Sequence, residues 1–427
     1  MTIADPTTTN YSATPRATAA APAATTRDPR LDFFRGIAMF IILIAHTPGN
    51  WLTLWIPARW GFSDATEIFV FCSGMASAIA FGKTFERKGM ALGTARVGFR
   101  VWQVYWAHIG LFFAVAATMA ALNNTGLFDR DYVGQLNLYP FFNRPFEQLP
   151  ALFTLTYVPN YFDILPMYMV ILIMMPVMVG LSRVDLRLVA LAVGLIWLAA
   201  NTKTIVLLLG LSEDGWLMAQ WWADINLPAE PWTQRGWFFN PFGWQLIFFT
   251  GFAFMIGWLP KPPVHWWLIG LALFVVLINI PLSSIGVREL GLRNADALFN
   301  AREWRIDNRP LISKSDFGLL RYVHFLALAY LAWVVVGPGG ARIMPHGAGL
   351  IARAWAPLLA VIMKVGQQSL AVFVFSMFFA RLMGMTFDVV GKSHWTMLWV
   401  NAVGFAAIIL CAYGAGWFKT QPWRKKA

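Results

Sequence analysis

Arg35 and His46 stand eleven residues apart in Arg35-Gly-Ile-Ala-Met-Phe-Ile-Ile-Leu-Ile-Ala-His46, and every residue between them is small or apolar. On a helix this is about 16 Å of rise and close to three turns, so both side chains share one face. A histidine in such a setting has two readings. It is a neutral ring bonded to a helix neighbour, or it is a general base or proton relay. The second role suits imidazole, whose reference pKa of about 6.5 lets it take a hydroxyl proton near neutrality. Pro48 follows closely and is expected to bend the helix beside the ring.

Other polar groups stand where hydrocarbon should reject them. Glu67 lies one turn inside a second apolar stretch, Ser63-Asp64-Ala-Thr-Glu67, which runs on to Ser73-Gly74. It is an acid reaching interfacial water, or a group that orients a histidine. Asp163 stands alike at the start of a later stretch, as a helix cap or as part of the chemistry. Arg96 and Arg100 are i,i+4 and share a face, with Gln103 and His108 further along. That pair snorkels to anionic lipid or recognises phosphate. Arg321 and His324 are i,i+3 and follow Lys314, while Gln367, Gln368 and Ser369 open a further stretch that carries Arg381 near its far end. Phosphate-cradling loops, dinucleotide fingerprints, nucleophile elbows and zinc-binding His pairs are absent from the sequence. The polar residues suit a reaction chamber inside a membrane, or a proton-coupled path.

The elements that hold them are set by composition. Of 427 residues, 58% are hydrophobic and 13% charged, with a net charge of +12. A water-soluble core cannot absorb that apolar excess, which excludes a soluble two-domain enzyme. Apolar runs long enough to span a bilayer predict an all-α integral membrane protein of about ten helices. They fall at roughly 37–56, 63–82, 101–122, 161–181, 188–210, 241–259, 264–282, 317–337, 366–385 and 395–417. Basic residues sort to alternate loops, which predicts cytoplasmic N- and C-termini and gives the positive charge a use other than nucleic-acid binding. The outer segment 283–316 is basic against that rule and needs another purpose. The outer connections are also rich in aromatics, as in Trp221–Trp222 and Pro231–Trp232, which form an interfacial belt or a platform for sugars. Residues 1–29 read as a disordered cytosolic tail, 30–418 as the membrane domain and 419–427 as a basic cytosolic tail. Cys72 and Cys411 carry no metal or disulfide spacing.

Arg35-x10-His46 followed by Ile68-Phe-Val-Phe-Cys-Ser73-Gly74 resembles the membrane acyltransferase-3 superfamily. Arg30-Leu-Asp-Phe-Phe-Arg-Gly36, Asp163-Ile-Leu-Pro-Met-Tyr168, Phe239-Asn-Pro-Phe-Gly-Trp-Gln245 and the run from Arg321 to Tyr330 resemble one branch, the glucans biosynthesis protein C (OpgC) family. The likeness covers most of residues 30–415. It implies an O-acyltransferase in the bacterial inner membrane that moves succinyl from cytosolic succinyl-CoA to hydroxyls of osmoregulated periplasmic glucans. His46 is then general base or acyl acceptor, with Glu67, Asp163 and His324 as further catalytic candidates. Arg35, Arg96, Arg100 and Gln103 become candidates for the acyl-CoA phosphates, and Ser73, Gln245, Lys314 and Arg321 for the acyl group and glucan. A succinyl donor carries a free carboxylate that an arginine can pair bidentately, and Arg321 is the residue proposed for it. The resemblance implies acyl-CoA as donor substrate, with no permanently bound cofactor and no metal. Glucan, lipid and a homo-oligomeric copy are the partners it admits. O-acetyl transfer is the alternative within this class, proton-coupled transport the alternative outside it, and a non-enzymatic scaffold gives no reason for Arg35 and His46 to align.

Overall fold

The computed structural model describes residues 28–210, 224–292 and 299–424. The tail to residue 27, the Trp221–Trp222 pair, Arg293 and residues 425–427 lie outside the described residues. Among the described residues the long elements are all helical. We number them α1 (Pro29–His46), α2 (Ala65–Ser77), α3 (Lys83–Asn123), α4 (Ile164–Ser182), α5 (Leu186–Ala200) and α6 (Thr202–Leu208). Then come α7 (Pro241–Ile256), α8 (Trp266–Leu282), α9 (Leu319–Val336), α10 (Leu350–Gln367), α11 (Ser369–Val390) and α12 (His394–Thr420).

Seven helical stretches among the described residues are long and apolar enough to cross a membrane, or eight if α5 and α6, bent by 84° at Asn201, form one span. The chain is therefore a multi-pass membrane protein by length and composition. The ten spans expected from hydropathy divide differently. Ala65–Asn123 is one stretch, running through a π-helical segment at Ala78–Gly82 and breaking at Gly89, whose φ of 80° needs a residue without Cβ. α1 carries Arg30, Asp32 and Arg35, and α7 has only 16 residues. α10 is an addition, because the sequence places 338–365 as a connection between two spans, and most of α10 falls there. It is amphipathic and packs on the first half of α1, where Ile362 and Trp355 meet Phe33 and Phe34.

α1 begins at Pro29, inside the segment assigned to the tail, because Asp28 caps it by accepting the Arg30 amide at 3.0 Å. Its other end differs as well. Pro48 stops the helix at His46 instead of bending it, since the residue before proline avoids helical ψ and Thr47 has ψ 108°. His46 is thus the last residue of α1, not a mid-span residue, and its imidazole stands where the chain leaves the helix.

Close backbone approach holds the bundle around that end. A Cβ added at Gly74 would lie 2.0 Å from the Phe248 carbonyl oxygen, and one at Gly251 2.3 Å from that of Phe71. α2 and α7 meet at these two glycines, which is what the Ser73-Gly74 pair does in packing terms. With α2 so fixed, α1 lies between α2, α10 and α11, and its buried face of Ala38, Met39, Ile42 and Leu43 enters the common core.

Candidate active site

The start of α2 is built as a capping box. Asp64 accepts the Thr66 amide at 2.7 Å, and Glu67 reaches back to accept the Asp64 amide at 2.7 Å. The same carboxylates meet cations from far along the chain. Arg321 of α9 donates to Glu67 Oε1 through Nε at 2.8 Å and Nη2 at 2.5 Å, and its Nη2 lies 3.6 Å from Asp64 Oδ2. Lys314 Nζ lies 2.5 Å from Asp64 Oδ2. Two acids and two bases close into one network in which Glu67 and Arg321 are both buried. Pairing of this kind offsets the large cost of dehydrating each charge.

His46 stands beside this network in the wall of a cavity of about 1070 Å³, shared with Asp163, Tyr161, Lys314, Arg235 and Lys203. Its Nδ1 lies 2.9 Å from the Ile42 carbonyl oxygen. A carbonyl only accepts, so Nδ1 carries the proton and donates, and the lone pair sits on Nε2. That is the tautomer a base requires. The ring meets Tyr161 edge-on at 5.5 Å between centroids, and the Arg381 guanidinium lies over the other ring at 3.9 Å. Tyr161 donates to the Met377 carbonyl at 2.5 Å and holds φ 91°, an uncommon backbone conformation for a tyrosine.

A hairpin closed by the Pro228–Gly236 bridge forms the far wall. Asp163 positions it by accepting the Phe238 amide at 2.8 Å, so its side chain does not cap α4. Arg235 on the hairpin donates to Asn160 Oδ1 at 3.0 Å and to the Val158 carbonyl at 2.9 Å. The remaining wall is the loop before α9, where Asp316 accepts from Ser313 at 3.0 Å and Asn240 at 3.2 Å. Burial lifts the Asp316 carboxyl above its ordinary pKa, against those hydrogen bonds, which pull it down.

His46, Asp163 and Lys314 therefore line the cavity, whereas the other residues singled out from the sequence lie elsewhere. Glu67 and Arg321 form the ion pair behind the wall. His324 is enclosed by the 61–63 loop: its Nδ1 accepts from the Ser63 amide at 3.3 Å, and a Cβ on Gly61 would come within 2.3 Å of its ring. Gln245 ties α7 to α5 by donating to the Val193 carbonyl at 2.8 Å, and Ser73 is buried in the α2–α7 contact. Arg35 bonds Ser369 at the α10–α11 junction, where Gln367 also donates to Asp32 at 3.3 Å. Arg96 bonds Thr84 at 2.5 Å and faces the Phe81 ring, and Arg100 bonds Gln103 at 3.1 Å. His108 is buried beside Phe162, with neither ring nitrogen bonded among the described residues.

The edge-on contact of Tyr161 with His46, and Arg381 over the Tyr161 ring, had no role in the sequence reading. The rule that marked His46 also marks Arg381, a cation inside an apolar helix. Asp224 and Arg235 carried no such mark, because charges in loops are ordinary, whereas Lys203, inside the expected span 188–210, met the same rule as His46 and was not singled out. No group of three or more metal-ligating side chains occurs among the described residues.

What this arrangement offers chemically is a lone pair on an oriented imidazole, facing a large cavity of mixed polar and apolar walls that holds three cations, Lys203, Arg235 and Lys314, and three carboxylates, Asp163, Asp224 and Asp316. Residues 27–420 match the family model described as OpgC protein, while no curated protein and no solved structure matches.

Proposed function

The chain belongs to the OpgC protein family, whose general activity is membrane acyl transfer, and from that premise we propose that it moves a succinyl group from succinyl-CoA to a glucan hydroxyl. The observation that carries the reading is His46 itself, held by Ile42 in the tautomer with a free Nε2 and set in the cavity wall on the same helix as Arg35. In the reaction Nε2 takes the proton of an acceptor hydroxyl as its oxygen attacks the thioester carbonyl. The C–S bond then breaks, and the leaving CoA thiolate takes the proton from the imidazolium. His46 ends the cycle neutral and no acyl-enzyme is needed.

Donor and acceptor arrive from opposite ends of α1 in this scheme. Arg35, Arg96, Arg100 and Gln103 meet the CoA phosphates near its first turns, and the about 16 Å rise to His46 suits the pantetheine arm. The membrane is then the bacterial inner membrane, with both termini cytosolic and the cavity periplasmic. The succinyl carboxylate needs a cation at the cavity. Lys314 lines it, whereas Arg321 would have to exchange Glu67 for the donor. Glu67 and Asp163 support the site, the first through Arg321 and the second through the hairpin.

Mass spectrometry of periplasmic glucans from cells with and without the protein tests this function. Loss of succinyl adducts supports it, loss of acetyl adducts replaces succinyl with acetyl, and unchanged glucans reject both. The donor end has its own test. Arg100→Ala is expected to weaken acyl-CoA binding by about 10-fold in calorimetry, as loss of one charge-assisted hydrogen bond should. Unchanged affinity in Arg35, Arg96 and Arg100 single variants would make the three residues lipid anchors.

A further inference from the structure

Nδ1 of His46 is held by its bond to the Ile42 carbonyl, but one hydrogen bond leaves the plane of the imidazole free to swing about it. A second contact decides where Nε2 points. That contact is Tyr161, whose ring meets the imidazole edge-on at 5.5 Å and 73°. Tyr161 is gripped in turn by α11. Its hydroxyl donates to the Met377 carbonyl, and Arg381, one turn further along the same face, lays its guanidinium 3.9 Å above the ring centroid. The same helix also seats the chain where it leaves α1. A Cβ on Gly384 would lie 2.5 Å from Pro48 Cδ, and the Thr47 hydroxyl reaches the Met383 sulfur at 3.8 Å. α11 therefore sets both the end of α1 and the ring on which His46 rests.

The backbone of Tyr161 shows that this placement is held against a cost. Its φ of 91° lies where residues with a Cβ are rarely found, and such positions persist only when the surroundings over-determine them. The surroundings do so here. Asn160 accepts from Arg235 at 3.0 Å and Asp163 from the Phe238 amide at 2.8 Å, so both neighbours are tied to the hairpin. Tyr161 lies between them and serves α11 and His46 instead. Arg381 is half-buried inside a membrane helix, an expensive place for a cation, and it pairs with no carboxylate among the described residues. What it has is the Tyr161 ring, whose face attracts a cation where no acid is at hand.

We propose that Tyr161 and Arg381 are positioning residues for the transfer step: the Tyr161 ring is the stop that aims His46 Nε2 into the cavity, and Arg381 clamps that ring to α11. This rests on the function proposed above and adds to it the device that orients its base. No proton passes through either residue, and each acts through the imidazole it holds. A base displaced by about 1 Å can lose on the order of 10²-fold in rate, so a clamp two contacts from the chemistry is felt there.

The experiment uses the purified full chain in detergent, with succinyl-CoA, acetyl-CoA and unacylated periplasmic glucan as substrates. Nitrogen NMR of isotope-labelled histidines reads the His46 ring directly, its signals identified by their loss in His46→Ala. The wild-type ring is expected to show the single Nδ1-protonated tautomer. Arg381→Met removes the cation and keeps the bulk, and Tyr161→Leu removes the ring. Both should give a mixture of His46 tautomers and a kcat lower by about 10-fold, with KM for both substrates nearly kept. The thermal midpoint of Arg381→Met should hold or rise, and Arg381→Lys, which returns a cation to the ring, should restore most of the rate. A structural role alone would lower the midpoint and leave kcat and the tautomer unmoved, and that result overturns the proposal. A fall in kcat with the single tautomer retained overturns it too. So does a rise in KM for succinyl-CoA but not acetyl-CoA, which would make Arg381 a contact to the donor carboxylate. If the variants release the ring but the wild type transfers no acyl group, the clamp stands and the proposed function fails.

Discussion

His46→Ala is expected to yield a folded, membrane-inserted protein whose glucan acylation falls on the order of 10²–10⁴-fold. The fold should survive because the side chain ends α1 and faces the cavity, where its one hydrogen bond, to Ile42, only orients the ring. Removing it leaves no buried partner charged or empty. The loss should be in the transfer step, with acyl-CoA affinity kept, because the donor's phosphates are assigned to the other end of the helix. Measuring acyl-CoA binding and transfer rate on the same purified sample separates the two. Near-normal transfer would remove His46 from the chemistry and leave a histidine that caps a helix end.

Arg321→Ala should do the opposite, destabilising the protein before any question of rate arises. Glu67 has no exposed surface, and the variant would leave its carboxylate buried without the guanidinium that donates two bonds to it. Breaking such a pair from one side typically costs about 3–5 kcal/mol. Replacing both members with apolar residues, as in Glu67→Leu with Arg321→Met, removes the stranded charge and should recover most of the loss. Asp64 keeps Lys314 in either case. Thermal unfolding in detergent reads both variants. A double variant as unstable as the single one would show that the pair is not what holds α2 to α9. Arg321→Lys, assayed with succinyl-CoA and acetyl-CoA, checks the remaining alternative. A selective fall with succinyl-CoA would mean that this cation leaves Glu67 to meet the donor carboxylate.

The two residues were also legible in the sequence to different degrees. Arg35 and His46 could be related from the sequence, since a helix converts a separation of eleven residues into a distance and a shared face. Ser73 and Gln245 came from the family resemblance, and the structure gives both a place in packing. Gly74 beside Ser73 lets α2 touch α7, and Gln245 bonds the α5 backbone. A motif residue in a membrane helix can mark the approach of two backbones as readily as it marks a ligand. Arg321 and His324 were paired by their i,i+3 spacing, and they do lie on one side of α9. They face different partners, however, the first Glu67 and the second Ser63.

Composition alone determined that this chain belongs in a membrane, and the spacing of Arg35 and His46 determined that a cation and an imidazole align on its first helix. Both are local properties, fixed by hydropathy and by the rise of a helix. The ion network, the edge-on contact of Tyr161 with His46 beneath Arg381 and the cavity that His46 lines were decided only by tertiary structure. Arg321 meets Glu67 across 254 positions of sequence, and no periodicity in either segment encodes that meeting. It follows from how α2 and α9 pack, because a buried charge must find its opposite wherever the fold brings one. The end of α1 at His46 lies between these cases. Pro48 was visible from the start, but whether it bends or stops a helix depends on where the following chain can go, and here the chain turns away into the loop before α2.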